Sequence, residues 1–305
     1  MGNSYTVDLT SSPEKGARML SGIVLGVGCP VKSKTQGKSM CAIVLGDCGL
    51  FRIYPIDGKT KLPVWSRVNV KVQKKDTDTD RRVESWRLID LEIQKDTALD
   101  AGEKRAILNR ATLQSGAQDP IDYQNEKKRS ICIVRPESLG GGFKPQRASY
   151  DDEWLYSQDM SHNKPYLNWQ SDQGKQHESH IVSREAYTTM MSNPDNPYSY
   201  YTNMHIGDPD WSFWLVLGNI VKFKNVWVVV HVHRLKKTTG LSTPLYCDPI
   251  SGKPDAWPYS MQQDGNAKVA GKQLLMSIIN DIKKTENPGN IQTTNYKHYA
   301  ENVTT

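Results

Sequence analysis

Between residues 67 and 73 the chain reads Arg-Val-Asn-Val-Lys-Val-Gln, apolar and polar positions alternating without a break. A period of two puts the valines on one face of a strand and Arg67, Asn69, Lys71 and Gln73 on the other, so this strand is half buried and half wet. Around it, residues 22–27, 41–45, 50–54 and 89–94 form further short apolar runs of strand length. The runs at 22–27 and 41–45 lack alternation and predict strands covered on both faces, joined by a polar, lysine-rich loop. Several short strands within a hundred residues predict a small β-barrel of the oligonucleotide-binding (OB) or SH3-like sort.

Downstream the period changes. Ile107, Leu108 and Ala111 mark one face of a helix expected to start at an N-cap Thr97 and reach about Gln114, where Gly116 stops it. Asp119-Pro120 opens a connector, a strand covers residues 130–135, and Leu139-Gly140-Gly141-Gly142 reads as a flexible turn. Residues 148–203 read as ordered loop, helical only over 183–191. Two apolar runs between Trp211 and Leu235 predict an antiparallel hairpin, and residues 268–284 an amphipathic helix. The expected fold class is α+β: a β-barrel-like domain at 1–96, a helix and connector at 97–125, and a mixed α+β domain at 126–305 with a central antiparallel hairpin.

Composition narrows the class. The chain has 305 residues and a net charge of +6, a balance that favours a polyanionic partner. Its five cysteines are odd in number, widely spaced and without a Cys-x-x-Cys, so neither a disulfide framework nor a zinc ribbon is expected. No apolar run approaches the ~18 residues of a spanning helix, and the start lacks a charged segment followed by an apolar one, so no membrane partner and a cytoplasmic location are expected.

The positive charge is bunched. Lys32, Lys34 and Lys38 share one loop, and Arg52, Lys59, Lys61, Arg67, Lys71, Lys74, Arg81, Arg82 and Arg87 follow beside Tyr54 and Trp86. Arg234, Lys236 and Lys237 close the hairpin. Cations interleaved with aromatics suit a groove that tracks phosphates and stacks bases. On this reading Lys32, Lys34, Lys38, Lys71 and Arg82 contact phosphate while Tyr54 or Trp86 stacks. A barrel with core tryptophans and ordinary surface lysines reads equally well, because Asp76, Asp78 and Asp80 dilute the charge.

His231 and His233 are the catalytic candidates. Two apart on a strand, they share a face and suit two ligands of one metal or two donors to one phosphate oxygen; as a pair without a third ligand they read as partly exposed histidines on an edge strand. His177-Glu178-Ser179-His180 falls one residue short of a zinc-helix spacing and reads as a solvated loop. Gly37-Lys38-Ser39 resembles the end of a phosphate loop, but Lys32 stands where its first glycine belongs and a strand follows, so it reads as a basic hairpin. Asp151-Asp152-Glu153 is an acidic patch with no strand lysine beside it.

Leu50-Phe51-Arg52-Ile53-Tyr54-Pro55, Arg82-Val83-Glu84-Ser85-Trp86-Arg87, residues 129–136, and Phe213-Trp214-Leu215-Val216-Leu217-Gly218 with Trp227 resemble successive patches of an uncharacterised family of bacterial proteins without an assigned activity. The resemblance implies a bacterial, cytoplasmic protein whose β domain and hairpin belong to one architecture. Members of that family carry a Cys and His cluster before the last patch, whereas here no cysteine lies between Cys132 and Cys247. The expectation is therefore a nucleic-acid-binding component of a bacterial DNA-processing or anti-phage defence assembly, without a cofactor and open to other protein subunits. Two alternatives stand beside it: a metal-dependent hydrolase or nuclease using the His-x-His pair and a divalent metal, and a protein-binding adaptor.

Overall fold

A computed structural model of the chain describes residues 16–33, 37–47, 49–74, 82–94, 98–145, 163–193, 195–196, 198–220 and 223–237. The first half is six strands: β1 (Ala17–Val27), β2 (Val31–Ser33), β3 (Gly37–Gly46), β4 (Gly49–Asp57), β5 (Arg67–Lys74) and β6 (Ser85–Gln94). β1 pairs with β5 through its first part and with β3 through its second, closing the sheet in the order β1–β3–β4–β6–β5–β1. Only the β4–β6 contact is parallel, Arg52 opposite Ser85. β2 is a short flap on β3, with Lys32 opposite Lys38. The result is a closed five-stranded Greek-key barrel of the OB type.

Alternation explains the barrel. Val24, Val44, Phe51, Ile53, Val68, Val70, Val72 and Trp86 meet in its interior, while the intervening Ile23, Leu25, Ile43, Leu45 and Leu50 point out of it and are nonetheless buried. What covers them lies downstream.

Helices α1 (Ala101–Ala111) and α2 (Pro120–Glu126) follow. α1 begins at Asp100, whose carboxylate accepts from the Glu103 amide while the Glu103 side chain answers at the Asp100 amide. This reciprocal capping box places the start three residues after the expected Thr97. The helix also ends earlier than Gln114, at Ala111, where Thr112 leaves helical geometry. Asp119 caps α2, with Pro120 in the first turn where its missing N–H is harmless.

The second half contains β7 (Ile131–Val134), β8 (Ser138–Pro145), β9 (Asn163–Gln170), β10 (Gln176–His180), α3 (Arg184–Ser192), α4 (Ser199–Asn203), β11 (Trp211–Ile220) and β12 (Phe223–Lys236). The expected hairpin is β11 and β12, and β7 flanks β11. β8, β9 and β10 form a second sheet. The two sheets meet at a parallel bridge between Ile181 and Val229, where the Val182 amide donates to the Val229 carbonyl at 2.8 Å. Counting β7 and β8 as one strand bent at Pro136, the cyclic order repeats that of the first barrel, with α3 and α4 in the connection between the third and fourth strands.

Three expectations change here. The Leu139–Gly142 turn is part of strand β8: Gly141 lies beneath Tyr201, where a Cβ would come within 2.3 Å of the ring, and Gly142 lies beneath Tyr166. The loop expected over 148–203 contains two strands and a second helix, and His177 to His180 is strand β10 rather than a solvated loop. Ser183 caps α3 within the expected helix. The helix expected at 268–284 and Asp151-Asp152-Glu153 lie outside the described residues.

The halves share a core. Ile23, Leu25, Ile43, Leu45 and Leu50 of the first barrel pack with Ile107 and Leu108 of α1 and with Ile131, Ile133, Trp214, Val216 and Val230 of the second half. Each such side chain taken from water contributes about 1.5–3 kcal/mol. The β3–β4 face, where OB barrels commonly hold ligands, is therefore largely spent on joining the two halves. Among the described residues no helix is long and apolar enough to cross a membrane.

Candidate nucleic-acid interface

The shared core decides which basic residues remain accessible. Arg52, on the outward side of β4, is only 3% exposed and donates Nη2 to the Ser130 carbonyl at 3.0 Å. Its guanidinium fits because Gly218 has no side chain, where a Cβ would come within 2.7 Å of Nη2. Glu84 completes the junction, accepting from the Ser130 amide and hydroxyl at 3.1 and 3.0 Å. Arg82 donates to the Asn219 carbonyl at 3.1 Å. Trp86 is also 3% exposed, in the barrel interior, and Lys74 covers it at 4.6 Å from the ring centroid while donating to the Val83 carbonyl. Burial corrects the reading of Arg52 as a phosphate contact and of Trp86 as a stacking platform.

The outer face of the barrel at β5 and β6 is mixed. Lys71 lies opposite Asp90, Asn69 donates to Glu92, and Arg67 and Arg87 lie opposite Gln94 and Gln73. Tyr54 is half-buried, its hydroxyl accepting from Ser39 at 3.2 Å. Lys34 and Arg81 fall outside the described residues, as does the side chain of Lys32.

The accessible cations gather elsewhere. Lys38 on β3 and Lys59 and Lys61 on the loop after β4 are exposed, and the Gly58 amide donates to the Lys38 carbonyl at 2.9 Å, holding loop and hairpin together. Arg184 of α3 pins the same loop by donating to the Thr60 carbonyl at 2.5 Å. The loop ends at Trp65, over which Lys104 of α1 lies 5.7 Å from the centroid. Next to Lys104, Arg105 donates to the Lys236 carbonyl at 2.6 Å. Arg105 and Arg135 both lie 5.8 Å from the centroid of Trp214. Burial first, and then the neighbouring Arg135 charge, hold the Arg105 guanidinium below its ordinary range. Lys236 and Lys237 extend the series.

Lys59 and Lys61 thus lie on one loop beside Lys38 of β3, and Lys104 and Arg105 of α1 are joined by Arg135 after β7 and by Lys236 and Lys237 at the end of β12. Among the described residues none of them has a carboxylate oxygen within 4.0 Å, whereas Lys127, Lys144 and Lys175 each pair with an acid. Of the acids beside the series, Asp57 accepts from the Lys59 amide and Asp100 and Glu103 cap α1, while Asp210, whose carbonyl accepts from the Lys237 amide, is exposed. Like charges held together around an indole without a counter-charge form a site for an external anion. The sequence pointed to Lys38, Lys59, Lys61, Lys236 and Lys237 of this set. Lys104, Arg105 and Arg135 were missed, since only the fold brings residues so far apart in the chain around Trp214.

His231 and His233 share a face as expected, their rings 4.6 Å apart. They are not at an exposed edge. They are 7% and 4% exposed, and His233 Nε2 bonds to the Leu25 carbonyl at 2.7 Å and sits 4.7 Å from Trp65. Burial lowers His231 to about 4, and burial with the neighbouring His231 holds His233 well below the ordinary histidine range. Both are neutral at the junction near pH 7. Among the described residues no three His, Cys, Asp or Glu side chains converge as a metal site. His177 instead bonds Asp119 at 2.8 Å and stacks on Trp169 at 4.1 Å, tying α2 to β10.

No family model and no curated protein matches this sequence. Solved structures that overlap it include a murine DNA-binding protein bound with double-stranded DNA (TM-score 0.28, 10% identity, covering 72% of this chain and 100% of that one). The p204 HINb domain (TM-score 0.27, 12% identity, 73% and 97% covered) and the tetrameric p202 HIN2 (TM-score 0.24, 11% identity, 73% and 94% covered) are others. A likeness of this degree bears on neither fold nor ligand, and the functional reading rests on this chain's own side chains.

Proposed function

We propose that this chain binds nucleic acid, holding the phosphate backbone along the cationic series from Lys38, Lys59 and Lys61 past Lys104, Arg105 and Arg135 to Lys236 and Lys237. One observation carries the reading: these cations, linked through the Gly58–Lys38, Lys104–Trp65, Arg105–Lys236 and Trp214 contacts, have no carboxylate within 4.0 Å among the described residues. Each cation that displaces a counterion from a nucleic acid adds to affinity, and two guanidiniums fixed by one tryptophan enter the complex with little side-chain freedom left to lose. The closed barrel supplies a rigid support for the loop that carries them. A place in a bacterial DNA-processing or defence assembly belongs to the same proposal; it rests on the clustered basic residues, the interleaved aromatics and the lack of a complete catalytic motif in the sequence, and only its bacterial setting comes from the family resemblance.

The test is fluorescence anisotropy of labelled oligonucleotides with the wild-type chain and with Lys59→Glu/Lys61→Glu. Loss of tenfold or more in the double variant, about 1.4 kcal/mol or more, supports the assignment. Equal affinity in both proteins contradicts it.

A further inference from the structure

The surface beside this series carries a cavity whose charges do not pair with each other. It has a volume of about 600 Å³ and is lined by Glu185, Tyr200, Thr202, Asn203, Met204 and Arg234, among others. Glu185 opens α3, one residue after the Arg184 that holds the Lys59–Lys61 loop, and Arg234 lies on β12 two residues before Lys236. The cavity therefore adjoins the cationic series.

Three features of its lining require an account. The Glu185 carboxylate and the Arg234 guanidinium face one space, yet no ion pair joins them. Glu185 has His231 Nδ1 at 3.6 Å, while Arg234 donates to Met204 Sδ at 3.3 Å and lies 5.6 Å over the Trp211 ring. His205 stacks on Trp211 at 4.4 Å, and this layer fixes the guanidinium in place. Tyr200 is 1% exposed, and its hydroxyl is buried without a hydrogen-bond partner. That hydroxyl is closed off from the cavity, so the polar groups open to a ligand are the Glu185 carboxylate and the Arg234 guanidinium. An acceptor and a fixed donor around one space suit a ligand with adjacent N–H donors and a carbonyl acceptor on one planar edge.

We propose that this cavity receives an unpaired guanine base. The carboxylate of Glu185 accepts from the ring N–H and the exocyclic amine together, as only guanine among the four bases offers two adjacent donors on that edge, while Arg234 donates to its carbonyl oxygen. The inference rests on the nucleic-acid reading above and sharpens it: a strand lying on the series would present a base to the cavity only where that base is unpaired.

The test titrates the full chain with GMP, AMP, CMP and UMP in calorimetry, which reads the cavity independently of any polymer. GMP is expected to bind saturably and at least about fivefold more tightly than the others, the lower end of discrimination by a good bidentate base contact. Glu185→Gln, at a partly exposed position, should weaken GMP at least fivefold while circular dichroism stays unchanged. Failure of any mononucleotide to bind, equal binding of all four, tighter binding of glycine or another amino acid zwitterion, or full GMP affinity in Glu185→Gln overturns the proposal. Lys59→Glu/Lys61→Glu should keep GMP binding while losing oligonucleotides, so failure of the cavity and failure of the backbone track are read separately.

Discussion

The Nε2 atom of His233 lies 2.7 Å from the carbonyl oxygen of Leu25, a contact between residues at opposite ends of the described chain. It crosses the junction of the two halves, and beside it His231 stands in the same buried layer. Both imidazoles are neutral when folded and must take up a proton once exposed, which gives the junction a defined response to acid.

For His231 the sign is fixed by its depressed folded value of about 4. Between that value and the ~6.5 of an exposed histidine the unfolded chain holds more protons, so stability falls as pH is lowered through this window. His231 alone should account for on the order of 3 kcal/mol of loss between pH 7 and pH 4, and His233 adds in the same direction. Urea denaturation of wild type and His231→Gln across pH 4–7 checks this. The variant should show the shallower decline.

Arg52 and Glu84 are predicted to serve stability and not affinity. Glu84→Ala strips acceptors from the buried Ser130 amide and hydroxyl and should cost about 2–4 kcal/mol. Arg52→Ala should be similarly destabilising. In both, the salt dependence of oligonucleotide binding measured on the folded protein should match wild type, because neither side chain reaches solvent.

Asp119 links α2 to β10 through His177. Burial pushes its carboxyl up, but hydrogen bonds from His177 and Ser171 outweigh this and hold it below the ordinary carboxylate range. A depressed value contributes stability above the unfolded pKa, and the contribution is lost as pH falls through the folded one. Asp119→Asn should therefore be less stable than wild type at pH 7 by about 1–2 kcal/mol, and the gap should close in denaturation experiments near pH 2.

Where the pattern in the sequence was local, it was legible. Val68, Val70 and Val72 announce the inward face of β5, and Ile107, Leu108 and Ala111 announce the buried face of α1. Gly140, Gly141 and Gly142 carry no hydrophobic period, so their place in β8 shows only through Tyr166 and Tyr201, which lie across them from later in the chain. The shared face of His231 and His233 followed from strand geometry, while its burial depended on β1, a partner no local pattern names. The same holds for the interface. Lysines on one loop group in the sequence, but Arg105 and Arg135 belong together only because both lie against Trp214.

On the opposite side of the barrel, Lys71 stands on a face shared with Asp90 and Glu92, acids that weaken its attraction for phosphate. Lys71→Ala should change oligonucleotide affinity by less than about twofold, within the ±0.5 kcal/mol typical of surface substitutions, in the same anisotropy assay that reports the Lys59→Glu/Lys61→Glu loss.

The most direct test compares the salt dependence of oligonucleotide affinity in wild type and in Arg105→Ala/Arg135→Ala. If both guanidiniums contact phosphates, the slope of log affinity against log salt should become shallower by about 2 in the double variant, one unit for each contact removed. An affinity that is absent or insensitive to salt in the wild type, or a slope unchanged by removing both arginines, would contradict the account.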